Sequence, residues 1–432
     1  MRRTTGWVLT AAFWLLAMAG ATAEDWTGFR GTKGSGLSSD TRAPLTWSST
    51  QNVKWKTALP GPGASSPIVV GDRVFLTCYS GYGVDRGEGG GPESLQRHLV
   101  CVNRTDGRIR WSKAVAAVQP EDSYSGYLTE HGYASNTPVS DGERVYAFFG
   151  KSGVFAFDLD GKQFWRASVG TMSSNRRWGS AASPLLYRGL LIVNASDESR
   201  SLRALDCKTG KEIWKAEAEG LELAYGTPTL VDAPGGKTEL ALGVPGEVWG
   251  LNPDTGKLSW FASIPMKGNI CPTLTASSGV VYVTGGFPTG GCVAIRAGGK
   301  GDVSGSHVLW TSRYTSYVPT PLIYQGHLYW VNEQGVAHCL RADTGELVFQ
   351  ERLKVEDGAR PKVYASSIVV GDRLVTVSRN HGTFVLAAKP AFEQLAVNRL
   401  GDESVFNGTP AVSDGQLYLR SNRFLYCLQV AK

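Results

Sequence analysis

The feature that most constrains this chain is a short pattern recurring along its 432 residues: small polar residues, then Pro, then an apolar run. It reads Ser65-Ser66-Pro67, Asn136-Thr137-Pro138, Ala182-Ser183-Pro184, Gly226-Thr227-Pro228, Ile270-Cys271-Pro272, Pro319-Thr320-Pro321 and Gly408-Thr409-Pro410. Ser366-Ser367-Ile368 is the same element without its Pro. Counted from each third position, the steps are 71, 46, 44, 44, 49, 47 and 42 residues. Pro is tolerated at the start of a strand, where its missing N–H costs no ladder bond. A repeat of roughly 45 residues, with room for about four short strands, fits one blade of a β-propeller.

A second pattern closes the units. It runs Asn103 to Gly107 to Trp111, Asp158 to Gly161 to Trp165, Asp206 to Gly210 to Trp214, and Asn252 to Gly256 to Trp260. A weaker copy runs Arg341 to Gly345 to Phe349. Gly stands four residues before the aromatic each time, so the spacing predicts a hairpin. Asp or Asn caps its own turn, and Gly supplies the positive φ. Trp310 takes the same place after a longer turn, and Trp55 is a spare copy ahead of the first unit. Small residues precede the turns at Cys101, Ala156, Ala204, Gly250 and Ala294, with Cys427 in the matching place and Cys339 one residue adrift. They would let neighbouring blades approach.

Eight marks predict an all-β chain forming a single eight-bladed propeller of four-stranded antiparallel blades. The unit begun at Pro410 ends without a closing Trp, while residues 53–59 have a Trp and no strands of their own. The N-terminal strand is therefore expected to complete the last blade, which removes a free sheet edge. Composition agrees: 53 Gly and 13 Trp with only 19% charged residues is too apolar for a disordered chain. A net charge of +6 does not call for nucleic acid.

Arg2 and Arg3, the apolar run from Trp7 to Ala19 and Ala21-Thr22-Ala23 read as a secretory signal peptide over residues 1–23. Residues 24–52 are then an extension packing on the propeller of residues 53–432. The apolar run is shorter than a membrane span, no later segment is long enough, and no Cys near the cleavage site can carry a lipid. The expectation is a soluble, exported monomer, periplasmic or extracellular. Export permits disulfides, and the nearest pairs are Cys78–Cys101 and Cys271–Cys292; free buried thiols are the equal alternative.

The run Ala-x-Asp-x-x-Thr-Gly-x-x-x-Trp, whole at Ala204–Trp214, resembles the tryptophan-docking motif of the quinoprotein (PQQ) propeller superfamily. With the Asp25-Trp-x-x-Phe-Arg-Gly31 segment ahead of the blades, the chain is similar to exported PQQ-like repeat proteins of the BamB type. BamB is the propeller subunit of the outer-membrane assembly machine, usually a lipoprotein. The resemblance implies structural docking by Trp55, Trp111, Trp165, Trp214, Trp260 and Trp310. Superfamily dehydrogenases carry an adjacent Cys-Cys pair over their cofactor, and this chain has none.

No G-x-S-x-G, H-E-x-x-H or P-loop occurs, and the six His show no metal-ligand spacing. The expectation is no catalytic residue, no metal and no cofactor. The informative residues lie in long segments predicted to gather on one face above the first three blades: 81–97, 116–134 and 170–180. Arg176, Arg177, Trp178, His131 and Tyr133, with Tyr225, Tyr317 and Tyr364 around the same rim, are the candidates for binding a partner. Aromatic rings beside Arg offer rigid area and directed hydrogen bonds. Plugging the channel is the plainer role for the aromatics. The reading is a non-catalytic scaffold for a protein or envelope component. The alternatives are a PQQ- and calcium-dependent oxidoreductase and a small-ligand or sugar binder.

Overall fold

The computed structural model describes residues 25–84, 90–356 and 358–431; the expected signal peptide lies outside them. Those residues form eight sheets, each with a core of four antiparallel strands; in all but the last blade these run in sequence order from the central axis outward. Blade 1 is typical: Ile68–Val70, Arg73–Ser80, Gln96–Asn103 and Ile109–Ala116. Its two middle strands are almost wholly buried, while the outer strand alternates between half-buried and exposed residues.

Closure follows the expected route. Val53–Ala58 pairs antiparallel with Phe424–Gln429 and supplies the outer strand of blade 8, whose other strands are Ala411–Ser413 and Gln416–Arg420. Trp55 lies opposite Cys427, as Trp111 lies opposite Cys101 and Trp214 opposite Ala204. The small-residue column is thus the set of cross-strand partners of the aromatics. Cys339 stands in full register with Phe349, not one residue adrift.

The hydrophobic cores lie between blades. One cluster joins Tyr146, Phe148 and Trp165 of blade 2 to Leu191, Val193 and Leu205 of blade 3. Another joins Ile192, Leu202 and Trp214 of blade 3 to Leu240 and Leu242 of blade 4. All seven cysteines are free thiols, six of them buried, so neither suggested disulfide forms. Cys78 faces His98 across the ladder, and Cys101 faces Phe75.

The docking glycines do more than turn the chain. Gly107, Gly161, Gly210, Gly256 and Gly345 all have positive φ. A Cβ on each would lie within 3 Å of a Trp ring belonging to the preceding blade: Trp55, Trp111, Trp165, Trp214 and Trp310 respectively. Each indole N–H also donates to a carbonyl of that next blade, to Arg104, Leu159, Cys207, Pro253 and Ala342. Trp260 departs from the expected column. Its Nε1 donates to Glu239 of its own blade at 2.7 Å, and its ring covers Gly250. The cause is the long turn of blade 5. Within that turn, Gly301–Asp302 pairs parallel with Trp260 and Phe261 as a fifth strand on blade 4.

Candidate functional site

The channel on the propeller axis is closed at one end by the N-terminal extension. Trp26 bridges to Val69 of blade 1, and the Thr27 carbonyl accepts the Ser140 N–H of blade 2. The segment then crosses to blade 6, where Arg30 Nη2 donates to the Pro321 carbonyl at 2.8 Å. It leaves along blade 7, with Leu37–Ser38 parallel to Val369–Val370. Phe29 lines the cavity above this floor.

A ring of hydroxyls encircles the cavity. The Ser66 N–H donates to Thr137 Oγ1, Thr137 N–H to Ser183 Oγ, Ser183 N–H to Thr227 Oγ1, and Thr227 N–H to Thr273 Oγ1. Thr273 N–H donates to Thr320 Oγ1, Thr320 N–H to Ser366 Oγ, and Ser366 N–H to Thr409 Oγ1. Every link is between 2.9 and 3.1 Å and joins one blade to the next. Most of these hydroxyls stand one place before the strand-starting Pro, so the repeat carried them in plain view as turn-like residues; Ser366 is followed by Ser367, so the seventh mark was set one residue too far along. The fifth mark needs correction: Thr273, two residues after Cys271, holds the ring position, and Leu274 follows it where other blades have Pro.

Above the ring the cavity holds about 160 Å³. Its mouth is aromatic. Trp178 packs between Tyr127, with centroids 4.9 Å apart, and Tyr225, stacked at 5.7 Å. Tyr127 also meets Tyr317 edge-on and stacks on Tyr364, and the two hydroxyls of the last pair lie 3.2 Å apart. Arg176 sits 5.7 Å over Trp178, and Arg379 sits 4.6 Å over Tyr364 while pairing with Glu130. Arg176, Phe287 and Met172 are exposed; Trp178 is half-buried.

The sequence candidates divide here. His131, Trp178, Tyr225 and Tyr364 line the cavity, and Tyr317 packs at its mouth. His131 shares a 2.6 Å hydrogen bond with Ser135, and burial lowers its pKa to about 4, so it is neutral at pH 7. Tyr133 is not part of the mouth. It is buried under the blade 1 insertion, packed on Tyr79 and Tyr82, with its hydroxyl donating to the Asp122 carbonyl. Arg177 faces a neighbouring polar groove of about 600 Å³ that it shares with Arg200 and Glu222.

Beneath that groove lies a charged cluster that the sequence patterns did not mark. Arg97 pairs with Glu121 at 2.7 Å, and Lys151 with Asp122 at 3.2 Å. Asp197 accepts the Ser174 N–H at 3.1 Å. Glu198 is buried, and its Oε2 has no partner among the described residues. Burial, then the charge of Asp197, holds Glu198 well above the usual carboxylate range. Arg97 comes from a strand of blade 1, Glu121 and Asp122 from the link that follows it, Lys151 from a turn within blade 2, and Asp197 and Glu198 from a turn within blade 3, so only the topology unites them.

A quinone with its calcium needs several carboxylate or amide oxygens converging on one ion. Among the described residues Glu130 is the only carboxylate lining the cavity, and Arg379 holds it. No group of three or more His, Cys, Asp or Glu among the described residues is arranged to hold a metal. The donor set of the cavity does not fit that cofactor.

Comparison with known proteins follows the same lines. A family model described as outer membrane protein assembly factor BamB matches residues 35–177 and 95–351. The outer membrane protein assembly factor BamB of Burkholderia pseudomallei (strain K96243) is 26% identical over 263 residues, 58% of this chain. The match spans 64% of that relative's length. Among solved structures, BamB from Moraxella catarrhalis superposes with a TM-score of 0.59 at 13% identity, covering 87% of this chain and 97% of its own. A europium-containing methanol dehydrogenase gives 0.58 at 11% identity, covering 92% and 89%. At such identities both structures speak for the fold alone.

Proposed function

The chain belongs to the family described as outer membrane protein assembly factor BamB, and from that premise we propose that it is a non-catalytic scaffold. In this reading it docks a protein or envelope component on its aromatic mouth. One observation carries the proposal: Trp178, half-exposed, is clamped between Tyr127 and Tyr225 with the exposed Arg176 over its ring. A rigid aromatic with a guanidinium beside it loses little entropy on binding, and interface energy concentrates in such residues. Exposed Phe287, 5.7 Å from Tyr317, widens the apolar area around the mouth. Residues 1–23 direct export in this reading, and the propeller works outside the cytoplasm. No helix among the described residues is long and apolar enough to cross a membrane.

The test is a double change, Arg176→Ala with Trp178→Ala, in a crosslinked pull-down from the envelope fraction. Loss of one such anchor weakens binding by about 2 kcal/mol, or roughly 30-fold. The variant should keep its melting temperature and lose partners that the unaltered chain captures. A folded variant that retains every partner moves the docking site off the mouth.

A further inference from the structure

Each hydroxyl of the ring has one lone pair committed to a backbone N–H and its proton free. Thr137, Ser183, Thr227, Thr273, Thr320, Ser366 and Thr409 each accept a backbone N–H. Among the described residues, none of these seven hydroxyls donates to a protein acceptor. All seven line the axial cavity. A hydroxyl whose oxygen is already an acceptor has its O–H left to offer, and buried donors are ordinarily satisfied.

The charge beside the ring has the matching sign. Arg30 is fully buried next to the Thr320–Pro321 corner, and its Nε and Nη1 have no partner among the described residues. Arg420 is equally buried next to the Ser65–Ser66 corner and donates only to uncharged groups there: Ser65 O and Oγ at 3.3 and 3.1 Å, and Thr77 O at 2.8 Å. Among the described residues no carboxylate pairs with either guanidinium. Glu130, which lines the cavity, is held by Arg379. A buried cation without an anion is costly, and hydrogen bonds between guanidinium or hydroxyl donors and an ionised oxygen are the strong ones.

We propose that the axial cavity binds a small oxyanion, a phosphate or the carboxylate of a small organic acid, on the hydroxyl ring. Its oxygens take the ring's O–H protons, and its charge offsets Arg30 and Arg420. The size fits: the cavity of about 160 Å³ is close to one of ~150 Å³ that accommodates benzene, which limits the ligand to roughly six heavy atoms. One further group narrows the class. Asn407 donates its Nδ2 to the Glu130 carbonyl at 2.7 Å, which leaves its buried Oδ1 as an acceptor with no partner among the described residues. A hydroxy acid or a monoprotonated phosphate carries the donor that this oxygen wants; sulfate and acetate do not. Phe29 closes the floor and the Tyr127–Trp178 pair stands at the mouth, so the ligand enters past those two rings.

The site is independent of docking at the mouth and is tested without a partner. The full chain is titrated with phosphate, glycolate, sulfate and acetate at constant ionic strength set with chloride, following both heat and melting temperature. Saturable binding by phosphate or glycolate, at least tenfold tighter than by sulfate or acetate, is expected. Phosphate alone identifies an inorganic source, and glycolate alone an organic acid. Arg30→Met should weaken that binding at least tenfold. Absence of saturable binding by either probe overturns the proposal, as does equal binding by folded Arg30→Met. Should that variant not fold, arsenate soaked into crystals of the unaltered chain decides. An anomalous peak on the axis at the ring supports the site, and its absence there overturns it.

Discussion

The seam between the third and fourth blades and the seam between the fourth and fifth start from the same tryptophan position and close differently. Trp214 leans out of its blade onto Gly256 of the next and donates to the Pro253 carbonyl. Trp260, one repeat later, meets no such glycine, because the turn of blade 5 has become a strand laid on blade 4. It folds back over Gly250 and donates to Glu239, which also accepts the Gly298 N–H at 3.0 Å. The docking motif is thus a two-blade device. A tryptophan supplies the area, but the neighbour's turn decides where that area is buried.

Both seams depend on the ring being closed, and opening it should have the largest effect. Removing Val53–Ala58 strips blade 8 of its outer strand and takes away Trp55, which docks on Gly107 of blade 1. An open edge and a missing seam together should abolish cooperative unfolding and cause aggregation, as read by thermal melting and size-exclusion chromatography. A deletion variant that melts like the intact chain would show closure to be dispensable and the seams self-sufficient.

The two tryptophans themselves come next. Trp214→Ala should cost about 3–5 kcal/mol, the usual range for emptying a large buried site. Trp260→Ala should lie at the upper end of that range or beyond. Trp260 is completely buried, and its loss leaves the Glu239 carboxylate with one fewer donor, a penalty of about 1–3 kcal/mol. Chemical denaturation of both variants decides it; a milder Trp260→Ala would mean that Glu239 finds water on its own.

The contrast also marks what a sequence discloses. The blade count, the closure and the column of small residues opposite the aromatics were legible because each is a local pattern repeated in register. Cys101, Ala204 and Cys427 sit where their spacing put them. The fate of Trp260 was not legible, since its own motif is intact and the cause lies some forty residues on, in residues 301–302. The site divides in the same way. Trp178 and His131, from two of the long links, line the cavity, but Tyr133 was drawn under a local insertion by Tyr79 and Tyr82. The hydroxyl ring was spelled out by Ser or Thr before Pro, yet a lone Ser or Thr reads as turn chemistry until eight blades bring them round one axis. Arg30 and the Glu198 cluster depend on contacts between distant segments, which no spacing encodes.

A smaller test separates the two halves of the docking device. Gly256→Ala places a Cβ 2.4 Å from the Trp214 ring at a φ of +69°, so it adds a clash to backbone strain. Gly301, in the strand that displaced the docking turn, has a φ of +68° with nothing within 4 Å of a Cβ. Gly301→Ala should therefore cost only the left-handed penalty of about 1 kcal/mol. Gly256→Ala should exceed it by about 1–3 kcal/mol, the usual cost of overpacking. Equal losses in denaturant melts would mean that the Trp214 ring shifts freely, and that the seam is looser than its geometry implies.

The smallest effect is expected from a tryptophan that belongs to neither seam. Trp178 is half-buried at the channel mouth, and its ring partners Tyr127 and Tyr225 come from other links. None of the seam clusters contains it; it stacks on aromatics that keep further partners of their own, Tyr364 for Tyr127 and Ser174 for Tyr225. Removing it exposes those rings to water that already reaches the mouth, so no sealed cavity forms and the transfer term is partial. Trp178→Ala should cost less than about 1 kcal/mol, in keeping with a surface position. A loss matching that of Trp214→Ala would make the mouth a ninth seam: the links would then hold the blades together across the axis, and the rings proposed to receive a partner would be committed to the fold.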